Sequence, residues 1–130
     1  MTAEIISVGT ELLLGNILNT NAQYLSRELA ELGITVQRES TIGDNQGRLA
    51  DFVNEAKSRC DLLVFTGGLG PTEDDLTKET VALVAEAPLE EHADSMARLR
   101  EYFGTRPMSA NQAKQAMLPH GSVAFPNLAG

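Results

Sequence analysis

Short apolar runs typical of β-strands alternate along this chain with apolar stripes at the spacing of α-helices. The runs that predict strands lie at residues 3–8, 34–40, 61–65 and 122–125. The stripes that predict helices are Leu25, Leu29 and Leu32; Leu49, Phe52, Val53 and Ala56; Val81, Val84 and Ala85; and Met96, Leu99 and Phe103, with a further short helix at residues 109–117. This order, with short connections, predicts parallel pairing and hence an α/β fold: a three-layer α/β/α sandwich with a mostly parallel sheet.

Polar residues and glycines mark where these elements begin and end. Asn21 and Thr77 are predicted to cap the helices that follow the first and third strands. Gly33 and Gly104 are predicted to end helices. Residues 61–65 are almost continuously apolar, which predicts a central strand covered on both faces.

The charge balance limits the partners of the chain. Ten Lys and Arg residues stand against 18 Asp and Glu residues, which leaves a net charge of −8 over 130 residues. This balance argues against direct binding of nucleic acid or of an anionic membrane. No apolar run approaches the roughly 20 residues of a membrane span. No signal peptide is evident and Cys60 is the single cysteine, so we expect a soluble, cytoplasmic protein.

Three loops follow the carboxyl ends of the first three predicted strands, where α/β sheets bind ligands. The most distinctive of these loops has the sequence TGGLGPTEDDLTKE at residues 66–79, and it joins the third strand to a helix through Gly67, Gly68 and Gly70. Glycines permit close approach of a ligand to the backbone, and a helix start favours anions. The loop indicates a phosphate cradle, with a tight strand-to-helix turn as the alternative. Glu73 breaks the dinucleotide-binding pattern, and the Gly-Lys-Ser/Thr ending of a Walker loop is absent.

Acidic residues crowd the same loops, namely Glu11, Asp44, Glu73, Asp74 and Asp75. Carboxylates repel phosphate unless a cation lies between them, and their oxygens are ligands that Mg²⁺ and Mn²⁺ prefer. The pattern therefore favours a metal-bridged phosphate, with Asp44 and Asp75 as the functional carboxylates. Glu73 and Asp74 fit equally well as acids placed to meet a helix dipole.

Other polar residues carry weaker signals. Lys78, in the first turn of its helix, is a candidate phosphate ligand, and a solvated surface lysine is the alternative. His92 and His120 have no partner at metal-ligand spacing, so we interpret them as surface or packing residues. Cys60 precedes the third strand and is interpreted as a small buried hydrophobe rather than a nucleophile.

Two segments, SVGTELLLGNILNTN at residues 7–21 and TGGLGPTEDDLTKE at residues 66–79, resemble the CinA family of competence/damage-inducible proteins. IGDN at residues 42–45, NQAKQAMLP at 111–119 and FPNLAG at 125–130 extend the resemblance over nearly the whole chain. The wider superfamily is the molybdopterin-binding fold of MoaB and MogA proteins. The resemblance implies a three-layer α/β/α domain with its ligand site at the glycine loop.

The superfamily resemblance also implies particular site residues. Its motif of glycines, an aspartate and a threonine is matched by Gly67, Gly68, Gly70, Asp75 and Thr77. In the molybdopterin branch two aspartates serve catalysis, and Asp44 and Asp75 occupy the matching positions.

The CinA resemblance implies a metal-dependent ADP-ribose pyrophosphatase that uses Mg²⁺, Mn²⁺ or Co²⁺ and acts on a small-molecule nucleotide. Asp44 and Asp75 would hold the metal or orient the attacking water. The predicted substrate-binding residues are Thr10, Glu11, Gly67, Gly68, Gly70, Thr77 and Lys78. Related domains associate, so we expect a homo-oligomer.

Two alternatives stay open at this point. One is a molybdopterin-binding or nucleotidyl-transfer module of molybdenum-cofactor biosynthesis, and the other is a non-catalytic partner protein in competence or DNA damage. The family pattern continues past Asn127 into a Gly-Thr-Ala-Pro-Gly loop, whereas this chain ends at Gly130. We therefore expect residues 1–130 to form one domain that is incomplete at its C-terminus, with an unpaired strand edge.

Overall fold

The computed structural model describes residues 1–127 as two sheets and six α-helices. The main sheet contains β1 (Thr2–Val8), β2 (Thr35–Ile42) and β3 (Leu62–Thr66), and a small sheet pairs β4 (Leu89–Glu91) with β5 (Met117–Pro119). The helices are α1 (Thr10–Leu13), α2 (Thr20–Glu31), α3 (Gln46–Ala56), α4 (Thr77–Val84), α5 (Ala93–Phe103) and α6 (Ala110–Ala113), and a 3₁₀ turn at Lys114–Ala116 follows α6.

The main sheet is parallel and has the order β2-β1-β3. Side chains of β1 alternate between its two faces. Ala3 and Ile5 pack with α2, whereas Ile6 and Val8 pack with α3. Full burial of Ile5 and of Ile6 contributes about 1.5–3 kcal/mol each. The predicted α/β/α sandwich with a parallel sheet is therefore confirmed.

The prediction that β3 is the central strand is wrong, because β1 lies between β2 and β3. Ile5 of β1 is opposite both Glu39 of β2 and Val64 of β3. The apolar run of β3 reflects contact with helices on both faces, and such contact does not decide which edges are paired. All five residues of β3 are half-buried, whereas six of the seven residues of β1 are buried.

Two of the predicted helix starts are corrected by the structure. Asn19, not Asn21, caps α2: its Oδ1 accepts a hydrogen bond from the N–H of Ala22 at 3.2 Å. Thr77 is the first residue of α4 and makes no cap, because its hydroxyl donates to a loop carbonyl instead. Leu32 follows α2 and is 74% exposed, so it does not share the buried stripe of Leu29.

The predicted helix ends at glycines are confirmed. Gly33 follows α2 with φ of +77°, and Gly104 is the C-cap of α5 with φ of +57°. Both angles lie in the left-handed region that glycine adopts without steric cost. The chain therefore turns sharply after each of these helices.

The strand predicted at residues 122–125 is wrong. Val123 and Phe125 are 77% and 88% exposed, and no strand forms there. The predicted helix at 109–117 is shorter than expected, because its last residue begins β5, which pairs with the unpredicted β4. Ser109 starts α6 through a capping box with Gln112. Residues 128–130, the end of the FPNLAG motif, lie outside the described part.

The histidines and the cysteine have structural contacts. His92 caps α5 through Nδ1, which accepts from the N–H of Ser95, and His120 contacts the carboxylate of Glu90 at 3.0 Å. Cys60 is half-buried. Within residues 1–127, no helix has the length and apolar character needed to cross a membrane.

Candidate functional site

The carboxyl edge of the main sheet gathers the loops that the sequence singles out. The chain passes from β1 to β2 through α2 on one face, and from β2 to β3 through α3 on the other. This arrangement makes the carboxyl end of β1 and β3 a topological switch point, where open α/β sheets bind ligands. A cavity of about 170 Å³ lies there, and its lining includes Val8, Glu11, Asn19, Asn21, Thr66 and Gly67.

A second, more open groove of about 690 Å³ runs between α2 and the first half of β2. Its lining includes Ser26, Gly33, Gln37 and Glu39, and none of the predicted site residues. It lies away from the carboxyl edge of the sheet. The smaller cavity is therefore the candidate site, because it lies among the strand-end loops.

Thr10 and Asp44 hold each other across two loops. The Thr10 N–H donates to Asp44 Oδ2 at 3.3 Å, and the Asp44 N–H donates to the Thr10 hydroxyl at 3.0 Å. The N–H of Gly9 also donates to the carbonyl of Ile42 at 2.9 Å. These contacts fix the loop after β1 against the loop after β2, and they set the position of the Asp44 carboxylate.

The carboxylate of Glu11 folds back over the end of β1. A Cβ built on Gly9 would lie 2.5 Å from Oε1 of the exposed Glu11 side chain, so a larger residue at position 9 would displace this carboxylate. On the other side of the cavity, Asn21 Nδ2 donates to the Thr66 hydroxyl at 3.2 Å. Asn21, predicted as a helix cap, instead joins α2 to the end of β3.

The glycine loop after β3 is shaped by close contacts that exclude side chains. Gly67 and Gly68 have φ of +86° and +65°. A Cβ on Gly67 would collide with the carbonyl oxygen of Val8, and one on Gly68 would collide with the hydroxyl of Thr77. The loop backbone thus lies directly on the end of β1, and glycine is needed at both positions.

Thr77 holds this loop rather than facing the cavity. Its side chain is 2% exposed, its hydroxyl donates to the Gly67 carbonyl at 2.8 Å, and its N–H donates to the Gly68 carbonyl at 3.1 Å. Both donors are therefore engaged within the protein. Thr77 shapes the glycine loop and ties it to the first turn of α4.

Asp75 is fixed by Thr72, a residue that sequence reasoning missed. The Thr72 N–H and hydroxyl both donate to Asp75 Oδ2, at 2.9 and 2.7 Å. A Cβ on Gly70 would lie 2.6 Å from the same oxygen. Burial raises the pKa of Asp75, but the hydrogen bonds from Thr72 and Gly70 and the charge of Lys114 outweigh it, so the pKa lies below its usual value. Asp75 is therefore ionised at neutral pH.

Lys78 and Lys114 meet beside this loop. Lys78 Nζ donates to the Lys114 carbonyl at 2.5 Å, and Lys114 Nζ donates to the Thr72 carbonyl at 2.7 Å. Burial lowers the pKa of Lys78, the charge of Lys114 lowers it further, and Glu79 opposes both. Sequence reasoning missed Lys114 because it lies 42 residues from Thr72, and no local pattern connects the two.

The predicted carboxylates fall into two groups. Asp44 follows β2 and Asp75 follows β3, and these strands flank β1 at a spacing of about 10 Å. Across residues 1–127, no three carboxylate, imidazole or thiol groups converge into a cluster able to hold a metal ion. Mg²⁺ commonly takes only one or two protein carboxylates and completes its shell with substrate phosphate and water. The donor set fits that mode, and does not fit a site built from protein ligands alone.

Comparison with known proteins identifies the family. The model of a probable molybdopterin binding domain matches residues 4–130. A CinA-like protein of Desulfovibrio desulfuricans is 62% identical over 130 residues, and a putative competence-damage inducible protein of Alkaliphilus oremlandii is 51% identical over 129 residues. These matches cover 100% and 98% of this chain but only 31% of each relative. The chain thus spans about a third of the length of these relatives.

Solved structures show the same fold. The crystal structure of the protein CinA from Thermoplasma acidophilum, described as having unknown function, matches with a TM-score of 0.92 and 31% identity over 99% of this chain and 76% of that one. The molybdopterin biosynthesis enzyme MoaB from Thermus thermophilus matches with a TM-score of 0.61 and 18% identity, over 89% of this chain and 72% of that one. The second match shows the fold alone. This chain therefore belongs to the family of probable molybdopterin-binding domains, and within it to the CinA-like proteins.

Proposed function

We propose that this chain supplies the active site of a metal-dependent hydrolase that cleaves a nucleotide phosphoanhydride, with ADP-ribose as substrate. The observation that carries the proposal is the glycine loop at residues 67–70, in which Gly67 is exposed and the Gly70 N–H donates to the ionised Asp75. A phosphate fits against such a backbone, and an ionised carboxylate at its edge suits a cation that bridges to the phosphate.

The predicted residues other than Lys78 have the following roles in this proposal. The backbone of the glycine loop binds phosphate, and Thr77 holds that backbone in place. One of the two carboxylates, Asp44, set by Thr10, or Asp75, set by Thr72, would hold a divalent ion such as Mg²⁺, Mn²⁺ or Co²⁺, and the other would orient the attacking water. A bound divalent ion would polarise a phosphoryl oxygen and lower the pKa of water. Glu11, at the rim of the cavity, contacts ribose hydroxyls.

The test is release of AMP and ribose 5-phosphate from ADP-ribose by the full-length protein, measured with each of the three metals. Asp75→Asn is expected to lower kcat/KM at least about a hundredfold, because it removes a charged ligand of the metal or of the attacking water. Asp61→Asn is the matched control. Asp61 Oδ2 also accepts from a threonine N–H and hydroxyl, those of Thr2 at 2.8 and 3.2 Å, but at the amino end of the sheet. Undiminished turnover in Asp75→Asn would overturn the proposal.

A second candidate is a molybdopterin-binding module, which the family model favours. MoaB has the same fold, and a pterin phosphate would use the same glycine loop. Calorimetry with molybdopterin and with ADP-ribose separates the two functions. Tight pterin binding without any response to ADP-ribose would favour the second candidate.

A further inference from the structure

The chain has three lysines, Lys57, Lys78 and Lys114, and two of them meet beside the glycine loop. Lys78 is in the first turn of α4, and Lys114 begins the 3₁₀ turn after α6. Lys78 Nζ binds the Lys114 carbonyl, and Lys114 Nζ binds the Thr72 carbonyl. Two elements distant in sequence thus place both ammonium groups on one side of the loop that carries Asp75.

Burial and the charge of Lys114 disfavour the ammonium form of Lys78, and the charge of Glu79 offsets this only in part, so the pKa of Lys78 is lowered. Lys114 is attracted to Asp75, whose pKa its charge helps to lower. Both lysines are half-buried, and their like charges repel each other. Although the net charge of the chain is −8, neither ammonium forms a salt bridge with a carboxylate anywhere in residues 1–127. Groups arranged at a cost to stability are typical of binding sites.

Both ammonium groups keep donors for a ligand. An ammonium has three N–H donors, and each of these lysines makes one hydrogen bond, to a backbone carbonyl. Two donors therefore remain on each. Phosphate oxygens are the acceptors that suit paired cations, and charge-assisted hydrogen bonds of this kind are about twice as strong as neutral ones.

We infer that Lys78 and Lys114 together form a cationic subsite that binds a phosphate group of the ligand beside the glycine loop. The inference rests on the proposed function only in requiring a ligand that carries phosphate. Lys114 also anchors the Thr72 carbonyl, so the subsite and the Asp75 turn are built as one unit.

A lysine footprint tests the inference on the unaltered full-length protein. Acetic anhydride labelling is measured by mass spectrometry with and without saturating AMP or ribose 5-phosphate, the two phosphate-bearing halves of ADP-ribose. Neither compound contains an anhydride, so hydrolysis does not interfere. Lys57 is the internal control, because its Nζ also contacts a backbone carbonyl, that of Val84 at 3.5 Å, at the far end of α4.

We expect at least one of the two phosphates to lower labelling of Lys78 and Lys114 about fivefold or more, and to leave Lys57 unchanged. In calorimetry, Lys114→Met and Lys78→Met are each expected to weaken binding of that phosphate about tenfold or more, and Lys114→Arg by less, because it keeps the charge. Lys57→Met should bind normally.

Unchanged labelling of both lysines at saturation would overturn the inference, as would equal protection of Lys57, or failure to bind either phosphate. Protection without any hydrolysis of ADP-ribose would support the subsite and reject the proposed reaction. The two proposals are therefore tested separately.

Discussion

Replacing Gly68 with alanine tests whether close contacts, as well as backbone conformation, shape the glycine loop. Gly68 has φ of +65°, where a residue other than glycine costs about 1–2 kcal/mol. A Cβ there would also collide with the hydroxyl of Thr77 and lie 3.2 Å from Val8 Cγ1. Overpacking of this kind costs about 1–3 kcal/mol, so Gly68→Ala is expected to lower the free energy of unfolding by about 2–5 kcal/mol.

Gly33→Ala is the matched control for the conformational part. Gly33 has φ of +77°, and nothing lies within 4 Å of a Cβ built on it. This variant is expected to lose only the conformational contribution of about 1–2 kcal/mol. Urea unfolding monitored by circular dichroism measures both variants, and an unchanged m-value shows that the comparison concerns stability.

A double-mutant cycle isolates the collision itself. Thr77→Ala removes the hydroxyl that a Gly68 side chain would meet, together with its 2.8 Å hydrogen bond to the Gly67 carbonyl, at a cost of about 1–3 kcal/mol. Because the collision is absent in the double variant, its loss should fall short of the sum of the single losses by about 1–3 kcal/mol. Strict additivity, or a Gly68→Ala loss no larger than that of Gly33→Ala, would refute the steric argument.

Three further predictions concern stability. Glu4 is 1% exposed and accepts two hydrogen bonds from Arg59 at 2.6 and 3.0 Å, so Glu4→Leu should cost about 3–5 kcal/mol in urea unfolding, and Glu4→Leu with Arg59→Leu should cost less. Asn19→Ala should lower stability by about 0.5–2 kcal/mol through loss of the α2 cap, whereas Asn21→Ala should lower it less; equal losses would contradict the cap assignment. The pKa of Asp75 is depressed in the folded state. The ionised carboxylate therefore contributes to the free energy of unfolding above the unfolded pKa of about 4, and this contribution is lost as pH falls through the folded pKa. The stability gap between the parent protein and Asp75→Asn should thus narrow below about pH 4 in urea titrations, and a gap independent of pH would contradict this.

The parallel core follows from sequence because its signals are local. Each of its elements buries a face, and the spacing of its apolar residues along the sequence is enough to define that face. This holds for the strands β1, β2 and β3 and for the helices α2 and α3. Strand order is different, because it depends on edge pairing. The apolar run of β3 predicts contacts above and below the strand, and β1 carries the same signal, so the sequence does not show which of the two is central.

The C-terminal third depends on contacts distant in sequence. The apolar residues at 122–125 satisfy a strand pattern but have no partner strand within residues 1–127, and Val123 and Phe125 are exposed. The ladder that does form joins Leu89 to Pro119, far apart in the chain, and β4 is only three residues long. A run this short has no period to detect, so its pairing is visible only in the folded chain.

The candidate site shows the same division between local and distant signals. Gly67, Gly68 and Asp75 lie in one loop, and their residue types indicate phosphate and cation chemistry directly. Their supporting contacts do not follow from sequence. Thr77 resembles a helix cap in the sequence, but its hydroxyl donates to the Gly67 carbonyl of the loop. Lys114 donates to the Thr72 carbonyl from the 3₁₀ turn after α6.

Net charge excludes one class of partner but does not determine the potential at a single site. A polyanion contacts a large area of the surface, and a net charge of −8 disfavours its binding. A single phosphate in a loop meets mainly the groups within a screening length of about 8 Å. Near the glycine loop these include Asp75, whose charge is engaged by Thr72, and the two lysines, which form no ion pair within residues 1–127. In the proposed subsite, the placement of Lys78 and Lys114, rather than the sum of the charges, therefore favours binding of a phosphate.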